Sequence, residues 1–271
     1  MFKSIAFGGG GVRGGLHVGA LAALESVQGH LTFSEGIYGS SIGAIIATAV
    51  AFGLKSAQIR DMFDNHFDLD KIVPPMRMAA VVELPTKKGL FEMDFMEQGL
   101  LAAFDSQGID LRGKVIADSP QKLLIIASNM TTCNTSVFTG KVPVLKAIRC
   151  SCCLPGVFYP QILYNQVYLD GGVFIDNVSE VAGSDSLVFH ISAAPSPIFP
   201  ADVETMKLSS FLYGIYRGMR LSKIAPNVLW LQNSSVTVMQ DITPADKKQL
   251  YDEGYSQALR FLTKRGAKKV E

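Results

Sequence analysis

What this chain of 271 residues lacks narrows its chemistry before any motif is read. No stretch approaches the ~18 to 20 uninterrupted apolar residues of a membrane-crossing helix, and the nearest, residues 42–52, is interrupted by Gly43 and Thr48. The opening MFKSIAFGGGG carries only a brief apolar run, too short for the core of a secretory signal. The expectation is therefore a soluble cytoplasmic chain, although an effector exported by another route would read the same. Neither sign of charge dominates: 25 Lys and Arg face 24 Asp and Glu, and the clustered basic face of a nucleic-acid binder is missing. Cysteine is scarce, with Cys150, Cys152 and Cys153 crowded together and Cys133 alone, a spacing that fits neither paired zinc ligands nor a disulfide framework. No cluster of His, Asp or Glu has the spacing of a calcium or zinc site, so no metal or cofactor is expected.

Against those absences stands a composition that is 48% hydrophobic and 18% charged, enough for a large apolar core. A chain of this length suits one domain, 1–271, with core motifs within about residues 3–192 and C-terminal helices over 203–265 packed on it. Periodicity predicts strands at 3–7, 36–38, 123–129 and 186–192, and helices at 15–27, 42–52, 56–66, 91–104, 144–150, 203–223 and 244–264. The run LLIIASN shows no alternation, as expected of a strand covered on both faces. The strand–helix alternation predicts an α/β fold, a mostly parallel sheet sandwiched by helices.

Two glycine-rich turns carry the chemistry. The first, Gly9-Gly10-Gly11-Val12-Arg13-Gly14, follows the first strand and opens the first helix. It satisfies the dinucleotide pattern GxGxxG and equally suits a cradle of bare N–H groups for a developing oxyanion. The second strand disfavours the nucleotide, because its end carries Gly39-Ser40-Ser41 where an acidic residue would bind ribose. The second turn, Gly39-Ser40-Ser41-Ile42-Gly43, is GxSxG between strand and helix, a nucleophile elbow that presents Ser41; the plainer alternative is a helix N-cap serine. A base for Ser41 is offered by Asp170, which ends an apolar strand before Gly171-Gly172. His190 would complete a triad, but it sits inside the apolar run LVFHIS, where a core histidine is expected.

In this order, the glycine loop, the elbow and Asp170-Gly171-Gly172 resemble the patatin-like phospholipases. GGGGVRGGLHVGALAALE resembles that family's opening segment, AIRCSCCLPGVFYP its segment before the acidic strand, and DEGYSQAL its final helix. The resemblance implies a dyad in place of a triad: Ser41 as nucleophile, Asp170 as general base, and backbone N–H groups around Gly10 and Gly11 as the oxyanion hole. It also implies metal-independent hydrolysis of phospholipid or related acyl-lipid esters. Arg13 is expected to orient the loop by bonding carbonyls or a carboxylate such as Asp176, or else to attract a phosphate headgroup. His17 is expected to pack, and the cysteines to fill space near the site wall. The segment 66–120 shows no motif.

Three stretches suit contact with a lipid surface. KIVPPMRMAAVVELPTKKG, residues 71–89, reads either as a lipid-facing flap or as a packed connection. Leu208, Phe211, Leu212, Ile215, Tyr216 and Met219 form an apolar stripe with Lys207, Arg217, Arg220 and Lys223 elsewhere on the helix. Lys264, Arg265, Lys268 and Lys269 either touch anionic lipid or complement a helix C-terminus. Peripheral membrane contact is thus an expectation, and the oligomeric state is left open.

Overall fold

The computed structural model describes residues 2–75, 77–183, 185–191, 200, 204, 227–233, 235–237 and 239–266. The predicted helix 203–223, with its apolar stripe and flanking cations, lies outside them apart from Glu204, as do Lys268 and Lys269.

Among the described residues eight strands form one sheet: β1 (Ser4–Phe7), β2 (Gly36–Ser40), β3 (Leu123–Asn129), β4 (Asn134–Phe138), β5 (Gln161–Leu163), β6 (Gln166–Leu169), β7 (Leu187–Ile191) and β8 (Val228–Leu231). Five of them, in the order β8-β7-β1-β2-β3, are parallel, while β4 and β6 run antiparallel to β3 and β5 pairs antiparallel with β6. Successive residues point to opposite faces and each face is covered. Ile5, Phe7, Ile125, Phe189 and Leu229 enter the larger core, whereas Ala6, Ile126, Val188 and Val228 join a smaller one with Ile175 and Val178. Two-sided burial is why β3 lacks alternation: all seven of its residues are buried. The expected mostly parallel sheet between helices is the architecture found.

The helices are α1 (Gly15–Gln28), α2 (Ile42–Ala51), α3 (Ser56–His66), α4 (Leu69–Ile72), α5 (Met78–Lys87), α6 (Asp94–Asp105), α7 (Val144–Ser151), α8 (Ser179–Ala182) and α9 (Pro244–Thr263). All ten residues of α2 are buried, as its uniformly apolar sequence requires. Helix α1 departs from its amphipathic reading, since Gly15 through Leu24 are all buried. The cause is α9, which crosses so closely that a Cβ on Gly19 would overlap the Tyr251 carbonyl, and one on Gly254 the Leu16 carbonyl. Helix α9 starts at an N-cap, where Thr243 accepts from Asp246 N, with proline at its first position. The motif-free stretch 66–120 holds α4, α5 and α6. No residue of α5 is buried, so the 71–89 segment is not a packed connection along its helix; Met78 and Val82 are 80% and 74% exposed.

One topological feature positions the site. Ile125 and Ile126 pair with β2 on one edge and with β4 on the other. Ser128 and Asn129 pair with β4 and with β6, so β6 occupies the edge that β2 has just left. Running in opposite directions, β2 and β6 meet head to head, with Ser40 opposite Ile126 and Leu169 opposite Ser128. The turns that follow these strands, at Ser41 and Asp170, are thereby brought together. Asp170 was expected at the end of a strand, and it is, but that strand is a hairpin partner of β5 rather than a central parallel strand.

Candidate active site

Ser41 sits between β2 and α2 with φ 57 and ψ −132, a left-handed conformation that side chains rarely adopt. Close packing explains its glycine neighbours. A Cβ on Gly39 would overlap the Gly43 carbonyl, and one on Gly43 would lie 2.6 Å from the Gly8 carbonyl oxygen. Strain at Ser41 is held by an anchor that sequence reading missed. Ser41 N donates to Ser151 Oγ at 2.9 Å, and Ser151 Oγ donates to the Ile126 carbonyl at 2.6 Å. Ser151 is fully buried at the end of α7, and it ties the elbow to β3. Its only sequence signal was the segment AIRCSCCLPG, where the eye falls on the cysteines.

Asp170 is buried and caps a short 3₁₀ turn over Gly171–Val173. Its backbone N donates to the Cys153 carbonyl at 2.7 Å, and its Oδ1 accepts from Gly172 N at 2.8 Å. Gly171 packs so tightly that a Cβ would lie 2.6 Å from the Ile126 carbonyl oxygen and overlap Ser40 Oγ. Asp170 Oδ2 is buried without a hydrogen-bond partner. Burial pushes the carboxyl from the ordinary 3.8 up to about 6, opposed by the nearby Ser41 hydroxyl and by Gly172 N–H. Ser41 thus lies near enough to bias the carboxyl, while the full hydrogen bond to Oδ2 is not formed.

The glycine loop lies against Ser41. A Cβ on Gly9 would be 3.3 Å from Ser41 Cβ, and Gly11 and Val12 line the same cleft as Ser41. Gly11, at φ 58, begins a 3₁₀ turn over Gly11–Gly14 that runs straight into α1. None of the hydrogen bonds among the described residues uses the N–H of Gly10, Gly11 or Val12, whereas Arg13 N returns to the Gly10 carbonyl at 3.3 Å. The loop is held in shape from both sides. Arg13 Nε donates to the Gly10 carbonyl at 3.3 Å, the carbonyl contact expected of it. His17, fully buried, donates from Nε2 to the Gly8 carbonyl at 2.8 Å. Burial lowers its pKa from 6.5 to about 3, which keeps it neutral. His190 is a buried residue of β7, edge-on to Trp230 with ring centroids 4.6 Å apart, as expected of a core histidine.

Ser41 lines an apolar cleft of about 70 Å³. One wall comes from the stretch without motifs: His66, Phe67, Leu69, Ile72, Met96, Gly99 and Leu100. A buried cation fixes that wall. Lys247 of α9 reaches the Asp64 carbonyl at 2.7 Å, the Phe63 carbonyl at 3.1 Å and Asp68 Oδ1 at 2.6 Å, thereby capping α3 and anchoring the start of α4. Cys150, Cys152 and Cys153 are free and buried, and Cys152 lines the cleft. Burial raises all three thiols, those of Cys150 and Cys153 to about 12, so they pack rather than react. Arg149 turns from them to Asp94 and Glu97. Among the described residues no group of three or more His, Cys, Asp and Glu could hold a metal ion. Among them, too, no helix is long and apolar enough to cross a membrane.

A family model described as patatin-like phospholipase matches residues 5–181, a span that takes in the glycine loop, the elbow and the Asp170 turn. The protein YqhO of Bacillus subtilis (strain 168) is 29% identical over 193 residues, 64% of this chain and 64% of its own length. The protein R571 of Acanthamoeba polyphaga mimivirus is 27% identical over 175 residues, 63% of this chain and 58% of its own. The match thus spans about three fifths of the length of these curated relatives. Among solved structures, VipD from Legionella pneumophila superposes with a TM-score of 0.58 over 97% of this chain and 67% of VipD. At 12% identity that likeness speaks for the fold alone.

Proposed function

The chain belongs to the patatin-like phospholipase family, and on that premise we propose that it is a metal-independent lipid acyl hydrolase working through Ser41 and Asp170. The observation that carries the reading is a strained serine that lines an apolar cleft and lies near enough to a buried carboxyl to act on its pKa. Asp170 Oδ2 is buried with a lone pair to offer, and a pKa near 6 makes its carboxylate a better base than an exposed one. Ser41 Oγ attacks the acyl carbonyl as its proton passes to Asp170. The resulting oxyanion is held by backbone N–H groups of the glycine loop, where those of Gly10, Gly11 and Val12 make no hydrogen bond among the described residues. Collapse expels the alcohol, which takes the proton from Asp170 and leaves an acyl ester on Ser41. Water then attacks this ester as Asp170 accepts its proton, and the fatty acid departs as Oγ recovers one.

The substrate is the acyl ester of a phospholipid or related lipid, reached at a membrane surface. The cleft takes an apolar chain, and the exposed face of α5 offers Met78 and Val82 beside Arg77, Lys87 and Lys88. The test is labelling with a fluorophosphonate, together with fatty-acid release from phospholipid vesicles. Wild-type protein should label and release fatty acid, and Ser41→Ala should do neither. Cleavage of a soluble p-nitrophenyl ester with no release from any vesicle composition would make this a general carboxylesterase or thioesterase. Vesicle binding without labelling would make it a catalytically silent lipid-binding protein.

A further inference from the structure

In a trans peptide the carbonyl and the following N–H point to opposite sides, so a group that pins one loop carbonyl also aims the next N–H. The peptides of the glycine loop are trans, and two of its carbonyls are pinned. His17 Nε2 donates to the Gly8 carbonyl at 2.8 Å, and Arg13 donates to the Gly10 carbonyl from Nε and from its backbone N, each at 3.3 Å. The N–H groups that follow, those of Gly9 and Gly11, are thereby turned away from the groups that hold the loop. Neither makes a hydrogen bond among the described residues. Both residues adjoin the nucleophile: a Cβ on Gly9 would lie 3.3 Å from Ser41 Cβ, and Gly11 lines the cleft with Ser41.

Packing alone does not account for an imidazole at position 17. The ring is fully buried, edge-on to Phe7 with centroids 5.7 Å apart. A carbonyl only accepts, so Nε2 carries the hydrogen of the neutral ring, and Nδ1 is left buried without a partner. An apolar side chain would fill the same space without stranding a nitrogen. What the ring holds is the joint between two glycines. Gly8 and Gly9 lack the side chains that restrict backbone rotation, and a half-turn of their shared peptide would exchange the Gly9 N–H for the Gly8 oxygen. That oxygen also rests against the elbow, where a Cβ on Gly43 would come within 2.6 Å of it.

We propose that His17 is a positioning residue of the oxyanion hole: by holding the Gly8 carbonyl it keeps the Gly9 N–H turned toward Ser41 as a donor to the oxyanion, beside the Gly11 N–H that Arg13 aims in the same way. The proposal rests on the reading of Ser41 as the nucleophile of an acyl hydrolase. A donor so held meets charge that develops only during reaction, so His17 serves the transition state and not the bound ester.

The experiment compares wild type with His17→Gln, whose amide can still donate to the Gly8 carbonyl, and His17→Met, which fills the space without a donor, each checked for folding by thermal melting. It measures kcat and KM for p-nitrophenyl octanoate, and inhibition by an alkyl trifluoromethyl ketone of matched chain length and by the corresponding secondary alcohol. Ser41 Oγ adds to the carbonyl carbon of the ketone as its proton passes to Asp170, leaving an oxyanion at the donors; the alcohol forms no such adduct. His17→Met should lose about 10² in kcat with KM within about twofold, and should bind the ketone weaker by a similar factor while holding the alcohol as wild type does. His17→Gln should recover most of both losses. Should His17→Met not fold, His17→Asn, a shorter amide that stops short of the carbonyl, supplies the same contrast. A folded donor-free variant that keeps kcat, one that loses KM and alcohol binding along with kcat, or a Gln variant no better than it, overturns the inference alone. A wild type that neither cleaves the ester nor labels with a fluorophosphonate overturns the reading of Ser41 and this inference with it.

Discussion

Asp170→Asn should make the protein more stable at pH 8 while removing its activity. The carboxyl has a pKa of about 6 in the fold against an ordinary 3.8. A folded state with the higher pKa binds more protons than the unfolded chain between those values. Stability therefore falls as pH rises from about 4 through about 6. The difference of about two units, at 1.36 kcal/mol each, makes ionised Asp170 cost about 3 kcal/mol above pH 7. Asparagine never ionises, its Oδ1 still accepts from Gly172 N, and its Nδ2 donates toward the Ser41 hydroxyl. The variant should thus gain up to about 3 kcal/mol at pH 8, roughly 6 °C in Tm for a chain of this size, and only about 1 kcal/mol at pH 4.5. Parallel melts of both proteins across pH 4.5 to 8 read this directly, and the kcat of wild type should rise through about 6 as the base ionises. A stability difference that is independent of pH, or an Asn variant weaker than wild type at pH 8, would refute the reasoning, as would retained turnover.

Ser151→Ala leaves Ser41 N–H without its acceptor and the Ile126 carbonyl without this donor, so it should cost about 1 to 3 kcal/mol and lower kcat with little change in KM. An equal loss in KM would mean that Ser151 supports the cleft instead of the elbow. His17→Gln keeps a donor for the Gly8 carbonyl but cannot titrate. Wild type has a folded pKa of about 3 against 6.5 unfolded, so it loses stability as pH falls below 6.5, by about 3 kcal/mol at pH 4. The variant should be spared that loss, and urea titrations at pH 7 and pH 4 measure it. Gly254→Ala places a Cβ inside the Leu16 carbonyl and should separate α1 from α9, with a melting temperature lower by many degrees; an unchanged melt would mean that the helices pass with room to spare.

The parts legible in the sequence are those that backbone sterics decide within a few residues. Gly39 and Gly43 around Ser41, the loop Gly9 to Gly14 and the Asp170-Gly171-Gly172 turn can be read because each geometry restricts its own residue types. Periodicity similarly announced α2, α3 and β3, whose burial follows from local patterning. Strands β4, β5 and β8 and helices α4, α5 and α8 were not foreseen, being short elements with weak periods or none. Tertiary structure alone decided what lies far apart in the chain. Only the shared edge of β3 makes β2 and β6 converge, so that a serine and a carboxylate 129 positions apart face one site. Ser151 and Lys247 act through partners 110 and 184 residues away, and neither carries a local signature of that role. The cleft wall from Phe67 to Leu100 is ordinary apolar sequence, and it becomes one side of a cleft only when α3, α4 and α6 pack together beside the elbow. Local sterics can be read one turn at a time, whereas a cavity belongs to the packing of elements that no single turn contains.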